Sequence, residues 1–467
     1  KATMPEDTRL AERPFDSDRK MMSVLADGPD GRRLLLKGAP EAVLAACDGT
    51  DGAASLDDAH KAAQAMAARG LRVLALASRP EIAEDLTEEN LTLHGFAGLI
   101  DPPRAEVRDA VALAHAAGVT PVMITGDGPV TAQAIGAQLG IGGTVVTGAQ
   151  LEKMGADALG AILKDGALFA RTTPAHKMRI VQALQAQGRI VAMTGDGVND
   201  APALRRADIG IAMGRRGTDV AREAADVVLL DDNFATIVAA IEEGRRQFGN
   251  VRKFVRYLLS SNAGEVVALT GALALGGALI FLPIQILWMN LVTDGVTAMA
   301  LGLEKAEPDQ MRRAPRPKDA PVLDRRGLAL IASFGLYTGA AALAIFLVLL
   351  PQGEVLARSA AFTAMVVFEK VSVFAFRSSR NPNRVLGWAS NRWLWAALAV
   401  TLGAQVAALH VPLLQQVLRT VPLGWSEWGL IAALALPLIV VPEAVKEIRR
   451  HRAPAAPDSS GPARTGP

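Results

Sequence analysis

Apolar residues in this chain follow two regimes. Up to about residue 250 they come in short runs broken by charges and glycines; beyond Phe254 they come in long runs separated by basic loops. In the first regime, Met22-Ser23-Val24-Leu25 and Arg33-Leu34-Leu35-Leu36 predict two strands, joined by a turn at Asp27-Gly28-Pro29-Asp30-Gly31. Lys37-Gly38-Ala39-Pro40-Glu41 predicts entry into a helix, with proline in its first turn and a glutamate near its positive end. A second helix is predicted over 56–69 and a strand over 71–78. Asp101-Pro102-Pro103-Arg104 reads as a stiff link, because two prolines fix φ and remove donors. Strand–helix units follow. A strand over 119–124 ends in Thr125-Gly126-Asp127 and leads to a helix over 130–139; short strands are predicted at Val145-Val146 and Ala167–Ala170, and a helix is entered through 171–177. The run Ile190-Val191-Ala192-Met193 then delivers Thr194-Gly195-Asp196-Gly197 to its carboxyl end, with a helix opening at Ala201-Pro202.

In the second regime a helix from about residue 235 runs through Glu242-Glu243-Gly244-Arg245-Arg246 into the first of six apolar segments, at 254–279, 283–303, 327–350, 359–376, 393–413 and 425–445. Each is near the roughly 20 residues that cross a bilayer as a helix. Alternate loops are basic. The 304–327 loop carries Lys305, Arg312, Arg313, Arg316, Lys318, Arg325 and Arg326; the 377–392 loop carries Arg377, Arg380, Arg384 and Arg392; the tail carries Lys446, Arg449, Arg450 and Arg452. The positive-inside rule then predicts six helices with both ends cytoplasmic, in an integral membrane protein; the plasma membrane is its expected location. From about Ala453 the Pro/Ala/Ser/Gly tail is expected to be disordered.

Composition agrees with that segregation. The 467 residues are 50% hydrophobic, with a mean hydropathy of +0.24, too apolar for an ordinary soluble enzyme. Lys+Arg number 49 against 47 Asp+Glu, so no basic excess points to a nucleic-acid partner. The single cysteine, Cys47, allows neither an internal disulfide nor a cysteine-based zinc site. The chain opens on a charged run without an apolar signal segment, and reads as the interior of a longer protein.

Two groups of residues carry candidate chemistry. The first is the 194–202 stretch. Ligands of open α/β sheets bind beyond the carboxyl ends of the strands. Glycines there let the backbone approach an anion, and a helix start supplies donors. Asp196 and Asp200, four apart, suit a hard cation such as Mg²⁺ beside a phosphate. MITGDG and AMTGDG echo one another, as expected if two strand ends line one phosphate cleft. The second group lies inside the apolar segments. Asn262 and Glu265 are three apart in the first; Asn290, Thr293 and Asp294 stand at i, i+3 and i+4 of the second; Glu369 lies in the fourth. A buried charge there costs roughly 2.5–3.5 kcal/mol on insertion scales, which bound cations would offset. Carboxylate, amide and hydroxyl oxygens suit a hard cation such as Ca²⁺.

The stretch TGDGVNDAPAL resembles the magnesium-binding signature of P-type cation-transporting ATPases, which are haloacid-dehalogenase-like. PFDSDRKMMSV, KGAPE and LRVLALA resemble segments of their nucleotide-binding domain, and SSNAGEVV with LWMNLVTDG resembles the type II calcium pumps. The resemblance implies an α/β part plus an all-α membrane domain: a partial nucleotide-binding domain over 1–98, a Rossmann-like phosphorylation domain over 99–250, six membrane helices over 251–448 and a tail over 449–467. In it DPPR is the hinge between the first two. ATP and Mg²⁺ would be the cofactors. Phe15 would stack on adenine, with Lys20, Lys37, Arg72 and Arg171 near the nucleotide. Thr125 and Gly126, with Asp127 beside them, would bind the phosphoryl group and Lys177 would neutralise it. Asp196 and Asp200 would hold Mg²⁺, and Asn199 would complete the cleft. His176 is expected to be structural. Asn262, Glu265, Asn290, Thr293, Asp294 and Glu369 would hold the transported ion.

One part is missing. Transfer through an aspartyl-phosphate requires a nucleophilic Asp, carried in this family by DKTG, and no DKTG occurs here. The chain therefore resembles the carboxyl-terminal half of a pump and implies a partner: the amino-terminal half, with its dephosphorylating glutamate and four further helices. Outward Ca²⁺ transport is the first expectation, with the helix from 235 as the mechanical link. The same fold moving Na⁺, K⁺, Mn²⁺ or H⁺, and a non-pumping nucleotide- and magnesium-binding membrane protein, are the alternatives. Heavy-metal pumps have two helices after the phosphorylation domain, against six here. Lys370, next to Glu369, could weaken that site.

Overall fold

The computed structural model describes residues 8–16, 18–29, 31–80, 86–99, 105–276 and 278–452. The 101–104 hinge, Asp30 of the expected turn and the tail from 453 lie outside the described residues. The chain forms two compact units, one of 1–239 with 311–318, the other of 240–310 with 319–467.

In the first unit a six-stranded sheet has the order β1-β2-β3-β5-β6-β4. Its strands are β1 (Thr8–Asp16), β2 (Met21–Gly28), β3 (Gly31–Gly38), β4 (Cys47–Thr50), β5 (Arg72–Pro80) and β6 (Leu91–Leu99). The β2–β3 hairpin pairs Gly28 with Gly31, which holds Leu34 and Leu36 on the buried face and Leu35 outside. Helices Pro40–Ala45 and Leu56–Ala68 belong to this half, and Val43 and Ala59 join Leu34, Leu36, Ala75, Leu91 and Leu93 in one core. The Ser55 hydroxyl accepts from the Asp58 N–H at 3.1 Å and starts the second helix. Strand β1 was invisible to periodicity because eight of its nine residues are exposed.

The same unit holds two parallel three-stranded sheets, one ordered β7-β9-β8 and the other β10-β11-β12. Their strands are β7 (Met123–Ile124), β8 (Thr144–Thr147), β9 (Ala167–Ala170), β10 (Ala192–Gly195), β11 (Ile209–Met213) and β12 (Val227–Leu229). One core unites them, with Phe169 from the first sheet, Met193 and Ala212 from the second, and Ile180 and Leu184 from the helix Pro174–Ala186. The 119–124 strand shrinks to two residues and the 190–193 strand shifts to 192–195. Both β7 and β10 are edges, paired on one side only, so hydrogen bonding rather than apolarity sets their limits. Asp208 ties the second sheet down, accepting from Val191 N–H at 2.9 Å and pairing with Lys318 at 2.9 Å. Burial pushes its carboxyl up, but those donors and Gln185 more than reverse this and leave it below its ordinary value.

The second unit is helical. Among the described residues, five of its helices are long and apolar enough to cross a membrane: Pro283–Gly302, Arg325–Gln352, Glu354–Phe376, Arg392–His410 and Trp425–Arg452. They match the second to sixth expected segments, and the protein is an integral membrane protein. The first expected segment lies in the 41-residue helix Phe234–Ala274. It is absent from those five because Ser260, Ser261, Asn262 and Glu265 interrupt its apolar run. That helix is packed by small residues against Arg325–Leu349. A Cβ added to Gly335 would lie 2.6 Å from the Ala263 Cβ, and one on Gly339 would lie 2.5 Å from the Gly264 carbonyl oxygen. This Gly-x-x-x-Gly face allows the backbone approach typical of membrane helices.

At one end of the helical unit, Arg377 is fully buried and uses every donor it has. It bonds Glu304 at 2.8 and 3.2 Å, Asn383 Oδ1 at 3.1 Å, the Gly387 carbonyl at 3.2 Å and Ser390 Oγ at 2.7 Å. Asn391 donates to Glu304 Oε1 at 2.9 Å. Three helices and a loop are thereby tied to one ion pair.

Candidate functional sites

The first site gathers around β10. Its Thr194-Gly195 end turns directly into Asp196-Gly197, a short 3₁₀ turn over Val198–Asp200, and the helix Ala201–Arg206 with Pro202 in its first turn. Asp200 is tucked beneath this loop, 5% exposed, and its Oδ2 accepts the N–H groups of Asp196 and Gly197, each at 3.2 Å. Its Oδ1 receives Lys177 Nζ at 2.5 Å. Lys177 is set there by the helix Pro174–Ala186, whose first turn is capped when His176 Nδ1 accepts the Thr173 N–H at 3.1 Å. His176 is 5% exposed and structural, as expected. Asp196 and Asn199 stay exposed above the loop. The carboxylate with free oxygens is thus Asp196, while Asp200 holds the loop and the lysine in place.

Gly195 makes that arrangement possible. A Cβ there would stand 2.4 Å from the Asp200 Cβ. Gly195→Ala is expected to expel Asp200, costing about 1–3 kcal/mol for an overpacked site; a lowered thermal-unfolding midpoint checks it.

The second Thr-Gly-Asp lies at the end of β7. Thr125 N–H donates to the Phe169 carbonyl at 2.8 Å, its hydroxyl accepts the Asp127 N–H at 3.1 Å, and Gly126 has open space where a side chain would be. Arg171 lies beside it, its N–H on the Asp127 carbonyl at 3.0 Å. Arg171 Nη2 meets Glu41 at 2.6 Å, Lys20 Nζ is 3.9 Å from the same carboxylate, and Arg72 Nε is 3.7 Å from Asp127. Three of the basic residues expected at the nucleotide therefore converge with the β7 loop. Phe15, 62% exposed, and Lys37, exposed on β3, have no such partners among the contacts present. Among the described residues no hydrogen bond joins β7 to β10, which lie in separate sheets.

The second site lies among the helices. Tyr257, Ser261 and Glu265 follow one another at four-residue intervals on the helix Phe234–Ala274, so they form one stripe. Across from it, Asp294 and Asn290 make two rungs. Ser261 Oγ lies 2.5 Å from Asp294 Oδ2 and also contacts Glu369 Oε1; Glu265 accepts from Asn290 Nδ2 at 3.0 Å. Glu265, Asp294 and Glu369 are 7%, 0% and 2% exposed. Asn290 and Asp294 sit on a π-helical segment, Trp288–Asp294, not on the expected α-helix, and such widened turns are frequent at functional sites. Thr293 is buried, its hydroxyl donating to the Met289 carbonyl at 2.9 Å.

Two expectations change. Asn262 is exposed, turned away from Glu265, because the packed stripe runs through Ser261 rather than Asn262. Lys370, treated above as a neighbour of the site, is inside it: 2% exposed, with Nζ 2.8 Å from Asp294 Oδ1, 3.2 Å from Tyr257 OH and 3.6 Å from Glu369 Oε2. Among the described residues no three His, Cys, Asp or Glu side chains converge closely enough to hold a metal by themselves. Ser261 and Tyr257 were missed; the four-residue spacing from Glu265 was the available signal for both.

Residues 2–106 match the family model described as P-type ATPase, cytoplasmic domain N, and residues 278–448 match that for cation transporting ATPase, C-terminus. The chain is 40% identical to a calcium-transporting ATPase of Bacillus subtilis over 91% of its length. It is 38% identical to the endoplasmic reticulum calcium ATPase srcA of Aspergillus fumigatus over 95%, and 41% identical to a probable cation-transporting ATPase F of Mycobacterium tuberculosis over 94%. It covers 50%, 52% and 50% of these relatives, so the chain spans about half the length of the curated relatives it matches. A loop presenting TGDGVND, a nucleotide-type sheet and an acid-bearing helical unit, on a chain matched at both ends, make it a member of the type II P-type ATPases, similar to the calcium pumps.

Proposed function

We propose that the complete protein moves Ca²⁺ across a membrane at the expense of ATP, through an aspartyl-phosphate formed on a residue outside this chain. The observation that carries this reading is the buried cluster of Glu265, Asp294 and Glu369. Ser261 has one hydroxyl proton and stands between two carboxylates, so one of its two contacts needs a further positive charge; Glu369 Oε2 has no hydrogen-bond partner at all. Oxygen donors short of positive charge, deep among membrane helices, are the chemistry of a hard-cation path. Asn262 would face helices contributed by the rest of the protein.

In the phosphorylation part, the haloacid-dehalogenase-like reading is that a strand from outside the chain pairs with the free edges β7 and β10 and brings the nucleophile between their Thr-Gly-Asp ends. Asp196 fits Mg²⁺ through its exposed carboxylate, with Asp200 holding the loop; the metal would neutralise phosphate charge. Thr125 and Gly126 present the phosphoryl group with hydroxyl and open backbone, and Lys177 places a cation beside Asp200. Lys20, Arg72 and Arg171 line the nucleotide approach, with Phe15 and Lys37 further out. The helix Phe234–Ala274, counted as the first of six spans, would carry the change towards Glu265. The basic loops would lie in the cytoplasm and the cell membrane would be the site; fractionation separates this from an internal membrane such as the one in the Aspergillus relative's name.

The test is Ca²⁺-stimulated ATP hydrolysis by the complete protein. Glu265→Gln and Asp294→Asn are each expected to abolish the stimulation; if both leave it intact, calcium is the wrong ion and Na⁺, K⁺, Mn²⁺ and H⁺ are assayed in turn. The exposed Asp196 and the group of Lys20, Arg72 and Arg171 would equally serve a second reading, a nucleotide- and magnesium-binding membrane protein that does not pump. Acid-stable labelling by ATP decides between them.

A further inference from the structure

We propose that Lys370 is a tethered cation that fills one of the positions in the membrane cluster, so that the site accepts a single divalent ion. This rests on the transport reading above. The two rungs differ. At the first, Asp294 has both oxygens engaged, Oδ1 by Lys370 Nζ at 2.8 Å and Oδ2 by Ser261 at 2.5 Å. The ammonium also donates to Tyr257 OH at 3.2 Å and lies 5.9 Å from the centre of that ring, a cation–π distance. The remaining side of Nζ faces Glu369 Oε2 at 3.6 Å. Two of the lysine's donors are engaged, the ammonium is within ion-pair reach of Glu369, and its side chain is 2% exposed, so the charge is held at this position rather than passing through.

A Ca²⁺ ion would need Asp294 oxygens at about 2.3–2.6 Å. The ammonium stands on that approach, and two positive charges side by side in a poorly screened interior repel strongly. The second rung has no such cation: Glu265 is met by the neutral amide of Asn290, which presents its carbonyl oxygen after a half-turn about its terminal bond. Charge agrees with geometry. Glu265, Asp294 and Glu369 against Lys370 leave a deficit that one divalent cation closes. It also explains why, among the described residues, no three acids converge on an ion-sized space: the acids of the first rung are arranged about the lysine.

The experiment measures ⁴⁵Ca²⁺ bound per phosphorylatable site in the complete protein. Wild type and Lys370→Arg are expected to bind one ion, and Lys370→Met to approach two. Asp294→Asn strands an uncompensated lysine and is expected to weaken binding more than tenfold, whereas Asp294→Asn with Lys370→Met removes the pair together and is expected to recover one ion at an affinity within about threefold of wild type. The double variant also serves if Lys370→Met alone does not fold. Two ions in wild type, one in Lys370→Met, or no recovery in the double variant overturns the inference while leaving transport intact. Wild type that binds no Ca²⁺ and no alternative cation overturns the transport reading, and the inference with it.

Discussion

Arg377→Met should be among the most damaging single substitutions in the helical unit, with an expected loss of about 3–5 kcal/mol, the scale for breaking a buried ion pair by removing one partner. Arg377 is fully buried, and its five bonds to Glu304, Asn383, Gly387 and Ser390 leave no donor spare. Without it, Glu304 stays buried with only the Asn391 amide on its side chain. The cost is the stranded charge more than the lost contacts. Arg377→Met combined with Glu304→Gln should therefore recover much of the loss, and a double-mutant cycle on thermal unfolding in detergent measures the coupling. An unchanged midpoint in the single variant would show that the ion pair does not hold these helices together.

The second large effect is expected at Lys177. In the complete protein, Lys177→Ala should slow phosphorylation by about 10²–10³-fold, the range for losing one preorganised charge-stabilising donor. Lys177 Nζ sits 2.5 Å from Asp200, whose other oxygen gathers the N–H groups of Asp196 and Gly197. On the proposed function the lysine acts twice, as a positive charge at the phosphate and as the counter-charge that keeps Asp200 under the loop. Lys177→Arg keeps the charge but not the compact ammonium, so an intermediate rate is expected. Rates of ³²P incorporation at saturating Mg²⁺ separate the two roles: a defect cured by high Mg²⁺ lies in the loop, and one that persists lies in the chemistry. A rate within threefold of wild type would remove Lys177 from the site.

The two regions differ in how far they could be read from residues. The 194–200 loop was legible because its candidate chemistry is local: Gly195, Asp196, Asn199 and Asp200 are near neighbours in sequence, and their spacing dictates the turn. Even there, the division of labour between Asp196 and Asp200 needed coordinates, since which carboxylate turns inward depends on Lys177 from another helix. Strand β1 escaped because a solvated edge leaves no alternation to detect, and β7 was overestimated because it is an edge strand paired only with β9 among the described residues.

The membrane cluster shows the opposite balance. Hydropathy and loop charge located five spans almost to their ends, and oxygen-bearing residues at unusual depth marked Glu265, Asp294 and Glu369. Yet Asn262 and Ser261 are adjacent, and nothing in a linear pattern says which faces inward; the small-residue contact of Ala263 and Gly264 with Gly335 and Gly339 turns the helix so that Ser261 does. The same holds for Lys370. Adjacent residues on a helix point apart, so its entry into the site follows from the length of its side chain and from Asp294 arriving on a different helix. Composition, periodicity and local motif determined the two kinds of unit, the 194–200 loop and the depth of the acids, because those depend on neighbours along the chain. Tertiary packing alone decided which charges meet, because that depends on the rotation of helices far apart in sequence.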